Sequence, residues 1–225
     1  LDLDEAIVAS ARTALRDDKS GRADAYGTPL FVQVFNPPKR MIIVGAVHIA
    51  QPLMTLAQTS GYEVVIVDPR GAFATRDRFP GVTLSEDWPD EALETLRIDN
   101  RTAVVTLTHD PKLDDPALHV ALRSEAFYIG SLGSRKTHGR RVERLTEDGY
   151  TEEEIARIHA PVGLSINAKS PAEIAISIMA QITEPRAKVC AAVEWDDAPR
   201  LSQIFTTMIP AYLEDRTESL REATQ

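Results

Sequence analysis

The chain has 225 residues, 43% of them hydrophobic, and a formal net charge of −9. That length holds one domain with a buried core, or a domain with a small companion, and the acidic balance disfavours a general affinity for nucleic acid. No apolar run approaches the roughly 20 residues that span a membrane, no charged-then-apolar leader is visible, and the single Cys190 cannot close an internal disulfide, so a cytoplasmic location is expected.

The chain opens on Leu1 rather than Met, as a piece of a longer protein would. "DLDEAIVASARTAL" places Leu3, Ile7, Ala11, Ala14 and Leu15 at helical spacing. "KSGRADAYG" is turn-rich, and "PLFVQVF" alternates Leu30, Val32 and Val34 on one face, as a half-buried strand does. Asn36-Pro37-Pro38 then breaks the chain, and a boundary is expected there.

From Met41 the rhythm is strand, helix, strand, helix. "MIIVGAV" is continuously apolar, as a strand covered on both faces is, and the next helix carries Ile49, Leu53, Leu56 and Ala57 on one side until Gly61. "YEVVIVDPR", "RTAVVTLTHD" and "AFYIGSLG" give the second, third and fourth strands. "PDEALETL" and "DDPALHVALRS" are the helices between them, the latter expected to open on Asp115 and Pro116, with Asp114 as a cap. Thr151 with Glu154, and Ser170 with Glu173 after which a long helix follows, form capping-box pairs. That last helix is apolar on nearly all sides (Ile174, Ile176, Ile178, Met179, Ile182) and is expected to be buried. A helical extension interrupted by Pro210 is expected from Pro185 onward. The alternation predicts an α/β fold with a parallel, doubly wound sheet.

In such a sheet ligands bind beyond the carboxyl ends of the strands. Gly45, Ala46, Val47 and His48 follow the first strand, and Asp68 and Arg70 the second. Thr108, His109, Asp110 and Lys112 follow the third; Gly130, Gly133, Ser134, Arg135, Lys136 and His138 follow the fourth. A later loop brings His159, Gly163, Asn167 and Lys169. Gly45 and Asp68, 23 residues apart, match a turn glycine and a ribose-binding acid of a nucleotide fold. Val47 does not, because a glycine there lets the backbone approach a pyrophosphate. Main-chain amides with Ser134 to His138 suit an anion. Arg140, Arg141 and Arg144 are expected on a solvated basic face, and His109 beside Asp110 suits acid–base work or an ordinary turn. No His or Cys spacing marks a metal site.

Together "GAVHIAQPL", "VDPR", "RFPG", "TAVVTLTHDPKLDDPAL", "YIGSLGSRKTH" and "RIHAPVGLSINAKSPAEIAISI" resemble the C-terminal Rossmann-like domain of the xanthine dehydrogenase accessory family (XdhC/CoxI type), over roughly residues 40 to 183. The resemblance implies a small remnant of an N-terminal accessory domain over 1–39, a Rossmann-like domain with helices on both faces of the sheet over 40–184, and the C-terminal extension over 185–225. It implies a maturation chaperone, not itself an enzyme, that binds the molybdenum cofactor (a phosphorylated molybdopterin). The chaperone helps deliver the sulfurated cofactor to a molybdenum hydroxylase client such as xanthine dehydrogenase, with a cysteine desulfurase as a further partner. By the same resemblance, Gly45 and His48 shape the first loop, His109, Asp110 and Lys112 line the site, and Gly133 to His138 meet the phosphate. The family's G-A-G-H-V-A has Val47 in place of its second glycine here, and G-L-D-I-G has Ser165 and Asn167 in place of its acid and last glycine. The cysteine of the family's upstream domain has no counterpart in residues 1–40. Two alternatives stand beside this function: an NAD(P)-dependent oxidoreductase with Asp68 on the ribose and His109 as acid–base, and a ligand-free interaction module. A homodimer is the default assembly.

Overall fold

A computed structural model describes residues 3–25 and 28–191. Helix α1 (Leu3–Asp17) leads into an antiparallel hairpin of β1 (Gly21–Ala25) and β2 (Thr28–Val32), with Gly21 opposite Val32. The segment expected to be only turns therefore supplies a strand, because its backbone groups find partners in β2. Leu30, Val32 and Val34 are half-buried, while Phe31 and Phe35 are exposed, which is the predicted alternation. Asn36 ties the segment down by donating to Leu15 O at 2.8 Å and Asp18 Oδ1 at 2.7 Å, and Arg101 holds Pro37 O at 2.7 Å.

The rest of the chain builds a six-stranded parallel sheet. Its elements are β3 (Lys39–Val44), α2 (Ala50–Thr59), β4 (Tyr62–Val67), β5 (Thr83–Ser85), α3 (Pro89–Leu96), β6 (Thr102–Thr106), α4 (Pro111–Leu122), β7 (Tyr128–Ser131), α5 (Arg135–Glu147), α6 (Glu152–Ile155), β8 (Ile158–His159) and α7 (Pro171–Ala191). The strands lie in the order β5-β4-β3-β6-β7-β8, every neighbouring pair parallel. This is the doubly wound arrangement, in which the chain runs outward from β3 to one edge and then returns to β6 to run to the other. The edge strands β5 and β8 are additions to the four strands that the sequence predicts.

Alternate strand residues face opposite sides of a sheet. Ile42, Val44, Val65, Val67, Val104 and Ile129 form one core cluster with Ala92 and Leu93 of α3 and with Ala117, Leu118 and Ala121 of α4. Their alternates Met41, Ile43, Val64, Ile66, Ala103 and Val105 are buried too, so both faces are covered. Helix α2 packs on β4 and buries Ala50, Leu53, Met54 and Ala57. This two-sided burial explains why the strands are near-continuous runs of Val, Ile and Met.

Both capping boxes form: Thr151 and Glu154 exchange bonds at α6, and Ser170 and Glu173 at α7. Helix α7 is less uniformly buried than its composition predicts. Ala175, Ile178 and Met179 are enclosed, but Ile176 is 51% exposed.

Leu1–Met179 forms one compact unit, and Ala180–Gln225 a second, of which only the end of α7 is described. The extension expected over 185–225 lies outside the described residues beyond position 191. Among the described residues no helix is long and apolar enough to cross a membrane.

Candidate functional site

The strand order reverses between β3 and β6, so the loops at their carboxyl ends flank the crevice where doubly wound sheets bind ligands. Gly45 makes the first turn with φ +109°, a conformation that L side chains rarely adopt. Its amide donates to Val67 O at 2.8 Å. Val47 is half-buried in the turn, and His48 is exposed at the start of the helical segment.

Asp68 does not face a ligand space. It is fully buried, and its oxygens accept from the Ala46 amide at 2.8 Å, the Arg70 amide at 3.0 Å, and Arg70 Nε and Nη2 at 2.9 Å each. Burial alone raises its pKa, but these hydrogen bonds outweigh it and hold the carboxyl below the usual carboxylate range. The residue expected to read a ribose instead anchors the turn after β3 to the end of β4.

After β6, Thr108 donates through its hydroxyl to Asp114 Oδ1 at 2.6 Å. His109 is exposed and holds φ +62°, a left-handed conformation that His tolerates better than most residues. Helix α4 opens at the earlier of two Asp-Pro pairs rather than at Asp115-Pro116. Asp110 is the N-cap, accepting from the Lys112 amide at 3.0 Å, and Pro111 is the first helical residue. Pro116 consequently sits inside the helix. Lys112 is exposed on the first turn. Asp114 is not a cap; it is 1% exposed, and burial pushes its carboxyl up against the opposing Thr108 bond and Arg141 charge.

After β7, Gly133 turns with φ +143°, and Ser134 caps α5 by accepting from the Thr137 amide at 3.1 Å. The first amides of a helix lack intrahelical acceptors; Ser134 serves that of Thr137, which leaves those of Arg135 and Lys136 at the turn. Both side chains are exposed. His138 is half-buried one turn in, and burial and the Arg141 charge push its pKa below the usual imidazole value, which favours the neutral ring. Its Nδ1 is enclosed without a hydrogen bond.

Two expected residues lie elsewhere. Gly130 is inside β7 rather than in the loop, and a Cβ there would stand 2.6 Å from Val162 Cγ2 and 2.8 Å from Tyr128 Cε1. Its missing side chain serves packing. His159 is on the edge strand β8, stacked on Tyr128 with ring centroids 4.7 Å apart. The structure thus groups the Gly45–His48, Thr108–Lys112 and Gly133–His138 loops on three neighbouring strands.

Arg141 is the clearest departure from expectation. It is 2% exposed rather than solvated. Its Nη2 donates to Leu132 O at 3.3 Å and lies 3.7 Å from Asp114 Oδ2. Arg144 is bound to Asp115 at 2.6 Å and 3.0 Å, so of the three arginines only Arg140 is exposed. Arg141 sits four residues before the buried Leu145, hence on the inward face of α5. That spacing is the signal that marks it. Among the described residues no group of three or more His, Cys, Asp or Glu side chains is placed to hold a metal ion.

The strand order, the glycine turn after β3 and the loops gathered at the switch point define a Rossmann-type α/β protein. More narrowly, the chain belongs to the family described as the XdhC Rossmann domain, which residues 41–182 match. It is 34% identical over 152 residues to the molybdenum cofactor insertion chaperone PaoD of Escherichia coli (strain K12), covering 68% of this chain and 42% of that one. It is 32% identical over 163 residues to a protein of Bacillus subtilis (strain 168) named as a probable xanthine dehydrogenase subunit, covering 72% and 47%. A crystal structure described as a xanthine dehydrogenase from Bacillus halodurans aligns with TM-score 0.61 and 32% identity over 73% of this chain and 47% of that one. The chain spans less than half the length of the relatives it matches.

Proposed function

We propose that this chain is the cofactor-holding part of a maturation chaperone that binds the molybdenum cofactor and helps insert it, sulfurated, into a molybdenum hydroxylase such as xanthine dehydrogenase. The observation that carries this function is the chemistry of the switch-point edge. It offers helix amides and the side chains of His48, His109, Lys112, Arg135 and Lys136, while the Asp110 carboxylate is engaged as the cap of α4 and Asp68 is consumed by Arg70 and the Ala46 amide. Such a donor set fits the phosphate and pterin of the cofactor. It does not suit a ribose diol, which disfavours the NAD(P)-dependent oxidoreductase.

In this function Gly133 to His138 hold the phosphate, His109, Asp110 and Lys112 line the middle of the site, and Gly45, Val47 and His48 form its far wall. When bound, the cofactor supplies the redox chemistry that the client later uses. This chain's own residues bind, orient and shield it. The same proposal takes residues 40–184 as the binding domain, 1–39 as the end of an upstream domain and 185–225 as an extension. It further includes a homodimer in the cytoplasm, with a cysteine desulfurase as the source of sulfur. Similarity to a chaperone named for cofactor insertion supports it.

Mixing the cofactor-loaded chain with a cofactor-free molybdenum hydroxylase tests it. Activity should recover faster than with the same amount of free cofactor. Equal or slower recovery contradicts delivery by this chain.

A further inference from the structure

Between the start of α4 and the first three turns of α5 lies a cavity of about 360 Å³, lined by His109, Pro111, Asp114, Thr137, Arg140, Arg141 and Arg144. A guanidinium is costly to bury without partners. Yet the Arg141 side chain is 3% exposed, and its Nε and Nη1 make no hydrogen bond within the protein. The nearby Asp114 carboxylate answers it only in part, at 3.7 Å through Nη2, and is itself bound to Thr108. Arg144 is neutralised by Asp115, so Arg140 and Arg141 leave the cavity positive in a chain of net charge −9. Nε and Nη1 lie on different edges of the guanidinium, so an oxyanion would meet single N–H groups, held mainly by the buried positive charge.

We infer that this cavity is an oxyanion pocket, in which the buried Arg141 guanidinium, with Arg140 at the exposed side, binds a phosphate group. This deepens the cofactor-binding proposal, adding Arg141 behind the Gly133–His138 turn as the charge that meets the phosphate, and rests on it for one source of the ligand, the phosphate of a phosphorylated pterin; free phosphate is the other. The cavity exceeds the roughly 30 Å³ that one water occupies in the liquid, so an oxyanion and its adjoining atoms fit. Thr137 and His109 border it, so the pocket continues the loops already described rather than forming a distant site.

The test is equilibrium dialysis of the full chain against inorganic phosphate in chloride buffer, with folding monitored by circular dichroism. Wild type should bind, and Arg141→Gln should bind about tenfold more weakly or worse, as expected for losing a charge-assisted contact. Arg140→Gln, exposed and therefore tolerant, should weaken binding several-fold. Arg76→Gln, an equal charge change in an exposed loop before β5, should leave it unchanged. If Arg141→Gln does not fold, the contrast between Arg140→Gln and Arg76→Gln decides. No phosphate binding by wild type, or equal weakening in Arg140→Gln and Arg76→Gln, overturns the pocket.

A second arm uses the molybdenum cofactor and its dephosphorylated form. Cofactor bound in competition with phosphate, and lost on dephosphorylation, places the ligand's phosphate in the pocket. Phosphate bound with no cofactor affinity supports a pocket for free oxyanion and removes the chaperone function. Cofactor bound without any phosphate competition leaves the chaperone function standing and overturns the pocket.

Discussion

Gly45 and Thr108 meet across the switch point with no room for a side chain between them: a Cβ on Gly45 would stand 2.6 Å from the Thr108 methyl. The hydroxyl of the same threonine is held by Asp114 at 2.6 Å, and Asp114 faces Arg141. One line of contacts therefore joins the turn after β3, the loop after β6 and the inward face of α5.

Gly45→Ala meets both a positive φ and this contact. It should lower stability to urea by about 2–4 kcal/mol, the sum of backbone strain and overpacking. Adding Thr108→Ser removes the methyl but keeps the hydroxyl for Asp114, and should return about 1 kcal/mol. Strictly additive effects in the double-mutant cycle would contradict the contact.

Asp68→Asn removes a carboxylate that receives four hydrogen bonds. The loss at neutral pH should be about 3 kcal/mol, at the low end for a broken buried pair because Arg70 is partly exposed and can be hydrated. Its pKa is depressed in the folded chain. The contribution is therefore complete above the unfolded value of about 3.9 and is lost as pH falls through the lower folded value. Urea midpoints of wild type and Asp68→Asn should converge in strong acid and stay apart at pH 5 to 8, roughly the range where carboxylates are ionised.

Ser134→Ala removes the cap of α5. Stability should fall by about 1 kcal/mol, and cofactor affinity should fall with it because the first-turn amides fray. A stability loss with unchanged affinity would separate the cap from the site.

Val47→Gly places a glycine where the dinucleotide-binding pattern has its second one. It should loosen the fold by up to about 1 kcal/mol and tighten cofactor binding several-fold, because the backbone becomes approachable. NAD(P) affinity should stay weak, since Asp68 remains bound to Arg70. Parallel titrations of the two proteins check both points.

The strong strands were legible because two-sided burial writes itself as unbroken Val and Ile runs, as in Met41–Val44 and Val64–Val67. The edge strands were not: Thr83–Ser85 and Ile158–His159 are too short to show a period. Two Asp-Pro pairs five residues apart offered α4 the same start signal, and the sequence alone does not choose between them. The candidate loops could be found from strand ends. What their residues do there could not, because the partner of Asp68 is set by the Arg70 rotamer and the burial of Arg141 by how α5 lies on α4's first turn. A charged residue on the inward face of a helix carries no compositional mark; only its spacing from Leu145 reveals it.

The most direct measurement is an equilibrium titration of the full chain with molybdenum cofactor and, separately, with NAD(P)H. Saturable cofactor binding with no nicotinamide binding in the same range is the predicted result. Tight NAD(P)H binding accompanied by hydride transfer, with the cofactor ignored, would contradict a cofactor-holding role for this Rossmann domain.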